Sequence, residues 1–183
     1  MSAPSATAAQ CAWLGGYIDG DGTLVADSSG PRRLAIAGNQ AERSTQELVQ
    51  RLLGGGGGIH CRPKESNAIS FSIGRAGVMR WLAAEVGPHL RHPAKRLRLL
   101  GAGAEEPSAP VCANWVAGLL QADGSVNLRV YPVGERSVRA ELRITVTNAE
   151  PSLVEAVVSF FGGLGSYGTY LPAQGKRGKL AHR

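Results

Sequence analysis

The chain has 183 residues, enough for one medium domain or two small related halves. Its 43% hydrophobic share can build a core, which excludes wholesale disorder. Twenty basic against fourteen acidic residues, a net +6, suit a polyanionic partner but do not identify one. No apolar run approaches the ~18 residues of a membrane span. The start has no basic segment ahead of an apolar one, so the reading is a soluble, intracellular protein made where it works, with no membrane partner. Cys11, Cys61 and Cys112 form no CxxC pair and read as buried free thiols.

In chain order, a helix is expected from about residue 8 to 19, followed by strands, of which Leu34–Gln40 ends the second. A helix then opens with a capping box, Ser44-x-x-Glu47, and the glycine run Gly54–Gly58 ends it. Short strands follow near 59–63 and 68–73, the latter with Ile69, Phe71 and Ile73 on one face. A helix near 75–87 buries Val78, Trp81, Leu82 and Val86, and a short basic helix, Ala94–Leu100, closes this half. Residues 101–110 read as a linker. A further helix from about 109 to 121 takes Ser108 as its N-cap, with Pro110 tolerated in the first turn. In Ser125–Tyr131, Val126, Leu128 and Val130 alternate with polar residues. In Val138–Thr147, Val138, Ala140, Leu142, Ile144 and Val146 share one face, and Arg139, Glu141, Arg143, Thr145 and Thr147 the other. Ser152-x-x-Glu155 gives a second capping box.

That order is a duplication. Trp13, Gly16, Asp21 and Gly22 recur as Trp115, Gly118, Asp123 and Gly124, 102 positions later. Further on, Leu34–Gln40 matches Leu142–Asn148, Ser44–Glu47 matches Ser152–Glu155 and Gly54 matches Gly162, at a spacing of 108. About six extra residues in a second-half hairpin would account for the change. The fold class is therefore α+β, two pseudo-symmetric αββαββα repeats: 1–100, the 101–110 linker, and 111–183.

Glycine inside a helix costs up to ~1 kcal/mol relative to alanine. Gly15, Gly16, Ala117 and Gly118 make sense where two helix backbones approach closely. Such packing brings Asp21 and Asp123 together at the helix ends. Two close carboxylates repel unless a cation sits between them. Carboxylates and backbone carbonyls, here those of Gly20 and Ala122, are hard oxygen ligands that suit Mg²⁺ or Mn²⁺. Divalent ions beside a phosphate generate hydroxide and stabilise the leaving oxygen.

Leu14-Gly-Gly-Tyr-Ile-Asp-Gly-Asp-Gly22 resembles the first motif of the LAGLIDADG homing endonucleases of the single-chain, two-motif type. Val116-Ala-Gly-Leu-Leu-Gln-Ala-Asp-Gly124 resembles the second, departing at Gln121 where the first has Asp19. The resemblance implies that the motif helices form the interface between the halves and that Asp21 and Asp123 bind the catalytic metals. It implies antiparallel sheets laid in the major groove of double-stranded DNA. It places Gln40 and Asn148 where polar residues organise active-site water, and Lys95 near the scissile phosphates. The bland reading of Lys95 is a solvated basic helix face.

DNA contacts are expected from the polar strand faces: Arg33, Arg62 and Lys64 in the first half, and Asn127, Arg129, Arg139 and Arg143 in the second. The expected form is a monomer with internal pseudo-two-fold symmetry that cuts both DNA strands. An RNA maturase acting on intron RNA, or a DNA-binding regulator that does not cut, are the alternatives. The first half counts 88 residues from Trp13 to Leu100, and the second 69 from Trp115 to Arg183. The second repeat is thus expected to lack its last strand, long helix and counterpart of Lys95. Poor cleavage by the chain as it stands and a loose second half would follow.

Overall fold

Thr7 decides where the first helix begins. In the computed structural model, which describes residues 3–28, 30–62, 67–101, 106–133, 137–165, 168–170 and 181–182, the Thr7 hydroxyl accepts from the Gln10 amide and the Gln10 side chain accepts from the Thr7 amide, 2.8 Å. This capping box satisfies two donors that the helix leaves orphaned. Helix α1 (Ala8–Asp21) runs from it and gives way at Gly22 to strand β1 (Gly22–Asp27). Strand β2 (Gly30–Asn39), a 3-10 turn (Gln40–Glu42), helix α2 (Arg43–Leu52) and strands β3 (Gly58–Arg62) and β4 (Ala68–Ile73) follow. The four strands form one antiparallel sheet in the order β1-β2-β4-β3.

Alternation decides which face of that sheet is buried. Leu24, Leu34, Ile36, Ile69, Phe71 and Ile73 are buried. Most of them join Leu14 and Ile18 of α1, Val49 of α2, and Val78, Leu82 and Val86 beyond in one core. Each large side chain so buried contributes roughly 1.5–3 kcal/mol. Helix α3 (Ala76–Trp81) does not run on regularly to residue 87 as expected. It loosens into a π turn (Leu82–Val86) and tightens into a 3-10 turn (Gly87–His89), where Pro88 has no N–H to continue the ladder. Trp81 is half-buried rather than buried. Helix α4 (Pro93–Leu100) closes the half.

Helix α5 (Ala113–Asp123) starts later than expected. Ser108 and Pro110 lie in irregular chain ahead of it, on either side of a bend at Ala109, which is tied to the first half. Its amide donates to the Pro88 carbonyl, 3.2 Å, and its carbonyl accepts from the Arg91 guanidinium, 2.6 Å. Strands β5 (Gly124–Pro132) and β6 (Val138–Val146) pair antiparallel, and helix α6 (Pro151–Phe160) follows. The two-residue strands β7 (Thr169–Tyr170) and β8 (Ala181–His182) pair with each other. By contacts the chain divides into Met1–Ala122 and Asp123–Arg183, so α5 packs with the first unit.

Neither expected serine capping box forms. Helix α2 begins one residue before Ser44, and Arg43 pairs with Glu47 at 2.9 Å. At α6 the cap is Glu150, whose carboxylate accepts from the Ser152 amide and hydroxyl, with Pro151 in the first turn. At α6 an acidic residue two positions earlier takes the cap from the serine, whereas at α2 the N-cap position falls on Glu42, whose side chain makes no capping bond. The glycine match does hold: Gly54 and Gly162 both follow their helix at positive φ, +80° and +68°.

Strand pairing also corrects the repeat alignment. Gly22 pairs with Ile36, but its counterpart Gly124 pairs with Val146 rather than Ile144. The second hairpin is therefore eight residues longer than the first, and the following connection to the helix is two shorter. Asn148 thus shares its register position with Gly38, not Gln40. Both faces of the β5–β6 ribbon are open among the described residues, with Val126, Leu128, Val130, Val138 and Leu142 each more than 60% exposed.

Helices α1 and α5 cross at two glycines. A Cβ on Gly16 would overlap the Trp115 carbonyl oxygen, and one on Gly118 the Trp13 carbonyl oxygen. The same atoms thus meet in both directions across the duplication. Gly118→Ala is expected to destabilise the protein by about 1–3 kcal/mol or more, since backbone rather than a flexible side chain must yield. Chemical denaturation measures it, and a variant as stable as the parent would show that the helices do not meet here.

Candidate functional site

The end of α1 is held by a carboxylate two residues short of its last position. Asp19 is fully buried and accepts from the backbone amides of Arg91 (2.8 Å) and His92 (3.0 Å) and from the Trp115 indole (3.0 Å). Burial pushes its carboxyl up to about 6, against the pull of those three donors and the Lys95 ammonium. It is therefore mainly ionised at neutral pH, with its charge met by fixed donors. The Arg91 guanidinium also lies over the Trp115 ring, 5.3 Å from its centre.

The basic stretch after Leu90 turns inward. The Lys95 ammonium donates to three carbonyls at the end of α1: Ile18 (2.9 Å), Asp19 (2.6 Å) and Gly20 (2.8 Å). Those are the orphan acceptors of a helix C-terminus, where a cation is also favoured by the helix dipole. Arg96 is buried and donates to Gly87 and Leu90, while Arg98 donates to Leu24. A solvated face is therefore the wrong description of Lys95: it is half-buried and caps the motif helix.

The end of α5 is secured differently. The Asn148 amide donates to the Asp123 carboxylate at 2.6 Å, and the Asn148 side-chain oxygen accepts from the Glu150 amide at 2.7 Å. Gln121, at the position of Asp19, is exposed. Asp21 and Asp123 are both half-buried and each is the last residue of its helix, preceded by Gly20 and Ala122. Gln40 opens the 3-10 turn after β2. Of the four small residues read as a helix interface, Gly16 and Gly118 meet the opposite backbone. Gly15 instead faces His89, whose Cβ would lie 2.8 Å from an added one, and Ala117 is exposed.

On the outward face of the first sheet Arg33 is joined by Ser70, Ser72 and exposed His60, by strand register. Sequence reasoning missed these three, although the alternation that buries Ile69, Phe71 and Ile73 turns Ser70 and Ser72 the other way. Arg62 ends β3 at a position on the same face. Lys64 lies outside the described residues. On the β5–β6 ribbon, Asn127 stands opposite Arg143, Arg129 opposite Glu141, and Arg139 opposite Tyr131, with its guanidinium 6.0 Å from that ring centre. All four second-half candidates therefore share one exposed face. Asp19 and Arg91 are the other residues missed. The first motif's acid pair, Asp19 and Asp21, was a signal for Asp19; nothing local marked Arg91.

No protein-family profile matches the chain. An intron-encoded DNA endonuclease ai2a of Dictyostelium discoideum is 32% identical over 122 residues, 62% of this chain and 38% of that protein, so this chain spans well under half of its length. The meganuclease I-SmaMI, in a structure bound to uncleaveable DNA, superposes with a TM-score of 0.55 at 14% identity, over 96% of this chain and 78% of that one. The LAGLIDADG meganuclease I-CpaMI, bound to uncleaved DNA, gives 0.54 at 18% identity over 86% and 76%. The LAGLIDADG meganuclease I-AabMI, also bound to uncleaved DNA, gives 0.55 at 14% identity over 94% and 76%. At these identities the structures establish the fold.

Because the Asp19 carboxyl titrates near 6 when folded and near 3.8 when unfolded, the folded state binds the extra proton between those values. Its contribution to stability is present at low pH, falls as pH climbs from about 4 to about 6, and is level above. Asp19→Asn should remove that slope. It should also cost about 1–3 kcal/mol at neutral pH, because the new amide points N–H groups at donors. Denaturant unfolding across pH checks both; identical profiles would contradict the anchoring role.

Proposed function

We propose that this chain, a protein of LAGLIDADG meganuclease fold that carries both motifs, is a homing endonuclease. It binds a long double-stranded DNA site and hydrolyses a phosphodiester bond in each strand with divalent metal ions. The observation that carries the reading is the duplicated helix pair, joined by reciprocal glycine contacts, in which each helix terminates on an aspartate five residues later. The fold it shares with DNA-bound meganucleases supports the choice of DNA.

The donors at the two helix ends suit a hard cation. Asp21 and Asp123 offer carboxylates, and Gly20 and Ala122 backbone carbonyls. Bound Mg²⁺ or Mn²⁺ would supply a hydroxide nucleophile and neutralise the leaving 3′ oxygen. The Gly20 carbonyl already accepts from Lys95, but a carbonyl has a second lone pair. Lys95 holds that carbonyl in place and keeps a positive charge beside the Asp21 end of α1. Asn148 orients the Asp123 carboxylate. The exposed arginine faces meet the duplex, and the chain works as a monomer with two dissimilar halves.

Duplexes selected from a randomised pool supply a site for the test. Asp21→Asn or Asp123→Asn should abolish double-strand cleavage in Mg²⁺ and largely preserve binding, because carboxylates hold metal while strands hold DNA. Undiminished cutting by either variant would sink the assignment.

Arg139→Ala or Arg143→Ala should weaken binding in one of two ways. Loss of a phosphate contact lowers the slope of log K against log salt by about one, whereas loss of a base contact relaxes preference at one position. If neither variant changes affinity or specificity, the ribbon face does not meet DNA.

A further inference from the structure

Strand β6 is paired along one edge. Among the described residues it meets β5 and no other strand, which leaves a two-stranded ribbon where the first half has a four-stranded sheet. Two-stranded hairpins are marginal in water, and an open edge is a template for another strand. In the first half the matching strand, β2, pairs along both edges, with β1 on one side and β4 on the other. The apolar face of the ribbon is largely exposed at Val126, Leu128, Val130, Val138 and Leu142. It runs into a groove of about 750 Å³, lined by Leu142, Ile144 and Val146 of β6 and by Val154, Val157 and Phe161 in and after α6.

The charges along that open edge are selective. Arg139, Glu141 and Arg143 alternate in sign on the polar face. When two identical strands pair antiparallel about a two-fold axis, the residue on the axis decides which side chains meet. With Leu142 on the axis, Glu141 of each copy stands opposite Arg143 of the other and Arg139 stands opposite Thr145. All nine residues of Val138–Val146 then pair. With Glu141 on the axis, glutamate meets glutamate and Arg139 meets Arg143, and like charges directly opposite repel. With Ala140 there, Arg139 meets Glu141, but the pairing shrinks to Val138–Leu142. The Leu142 axis joins full length to matched charge. It also continues the apolar face across both copies and sets Val138 of the second copy opposite Val146, at the groove beside α6.

We infer that the open edge of β6 is a docking surface for a second copy of this chain, paired antiparallel about Leu142 into a four-stranded sheet β5-β6-β6-β5. Each copy keeps its own pair of motif helices, so the working unit on DNA stays one chain. The association does not depend on nuclease chemistry.

Sedimentation velocity of the full chain, free of DNA, counts the copies. The parent is expected to be a dimer at about 100 µM. Glu141→Arg sets arginine against arginine at both cross-copy pairs, and Arg143→Glu sets glutamate against glutamate. Each variant alone should dimerise at least about 10-fold more weakly than the parent. Mixed in equal amounts, the two should form a heterodimer, because every pair is then opposite in charge. Leu142→Lys and Leu142→Glu, which meet on the axis, take their place if either variant does not fold. A monomeric parent overturns the inference, as do assemblies larger than two copies. Single variants that dimerise like the parent show that the edge is not the contact. Weakened singles that do not recombine on mixing overturn the Leu142 register.

Discussion

The Asp19 carboxylate is shut away from solvent, yet it accepts from two consecutive backbone amides and from the indole of a helix 96 residues further on. Three segments distant in sequence therefore converge on one charge. A buried ion is tolerated only when its hydrogen bonds are met, so the positions of the 91–92 segment and of α5 against α1 follow from it. Lys95 reinforces the arrangement from the other side by gathering the last carbonyls of α1. The candidate catalytic aspartate comes next in the chain, on a helix end that is fixed before any ligand arrives.

The two halves share the order helix, two strands, helix, and they carry it with different chemistry. The first end of the pair is anchored by a buried charge and a lysine cap. The second uses a single asparagine amide, with exposed Gln121 where the first half has Asp19. The strands differ as well. The first sheet buries most of one face under helices, exposed Cys61 at its edge excepted, whereas the β5–β6 ribbon exposes Val126, Leu128, Val130, Val138 and Leu142 among the described residues as well as its polar face. The duplicated helices thus carry two chemically distinct ends.

Much of this was legible in the sequence. The duplicated tryptophan, glycine and aspartate located both motif helices, and alternation located the buried face of β4. What was missed has physical causes. Serine capping boxes were expected at residues 44 and 152, but the helices start beside Glu42 and Glu150, and cap choice depends on backbone geometry that spacing does not encode. The register difference escaped because a slip of two residues leaves every side chain on the face it already occupied. Lys95 was singled out but its contacts were not, and Asp19 escaped altogether, because most of their partners are backbone groups more than 70 residues away, and backbone leaves no mark in residue identity.

The crossing of α1 and α5 has a consequence for descent. Each glycine abuts the backbone of the tryptophan that belongs to the other repeat, so the contact surface is self-complementary although the two helices are no longer identical. Self-complementary contacts are the property of isologous interfaces, where one patch must fit its own copy. Such a patch arises naturally when two identical polypeptides associate, and survives gene fusion because the glycines tolerate no enlargement. Fusion releases every other position from having to satisfy both sides at once. Tyr17 has parted from Leu119, and Asp19 from Gln121, while the crossing glycines are the same in both repeats.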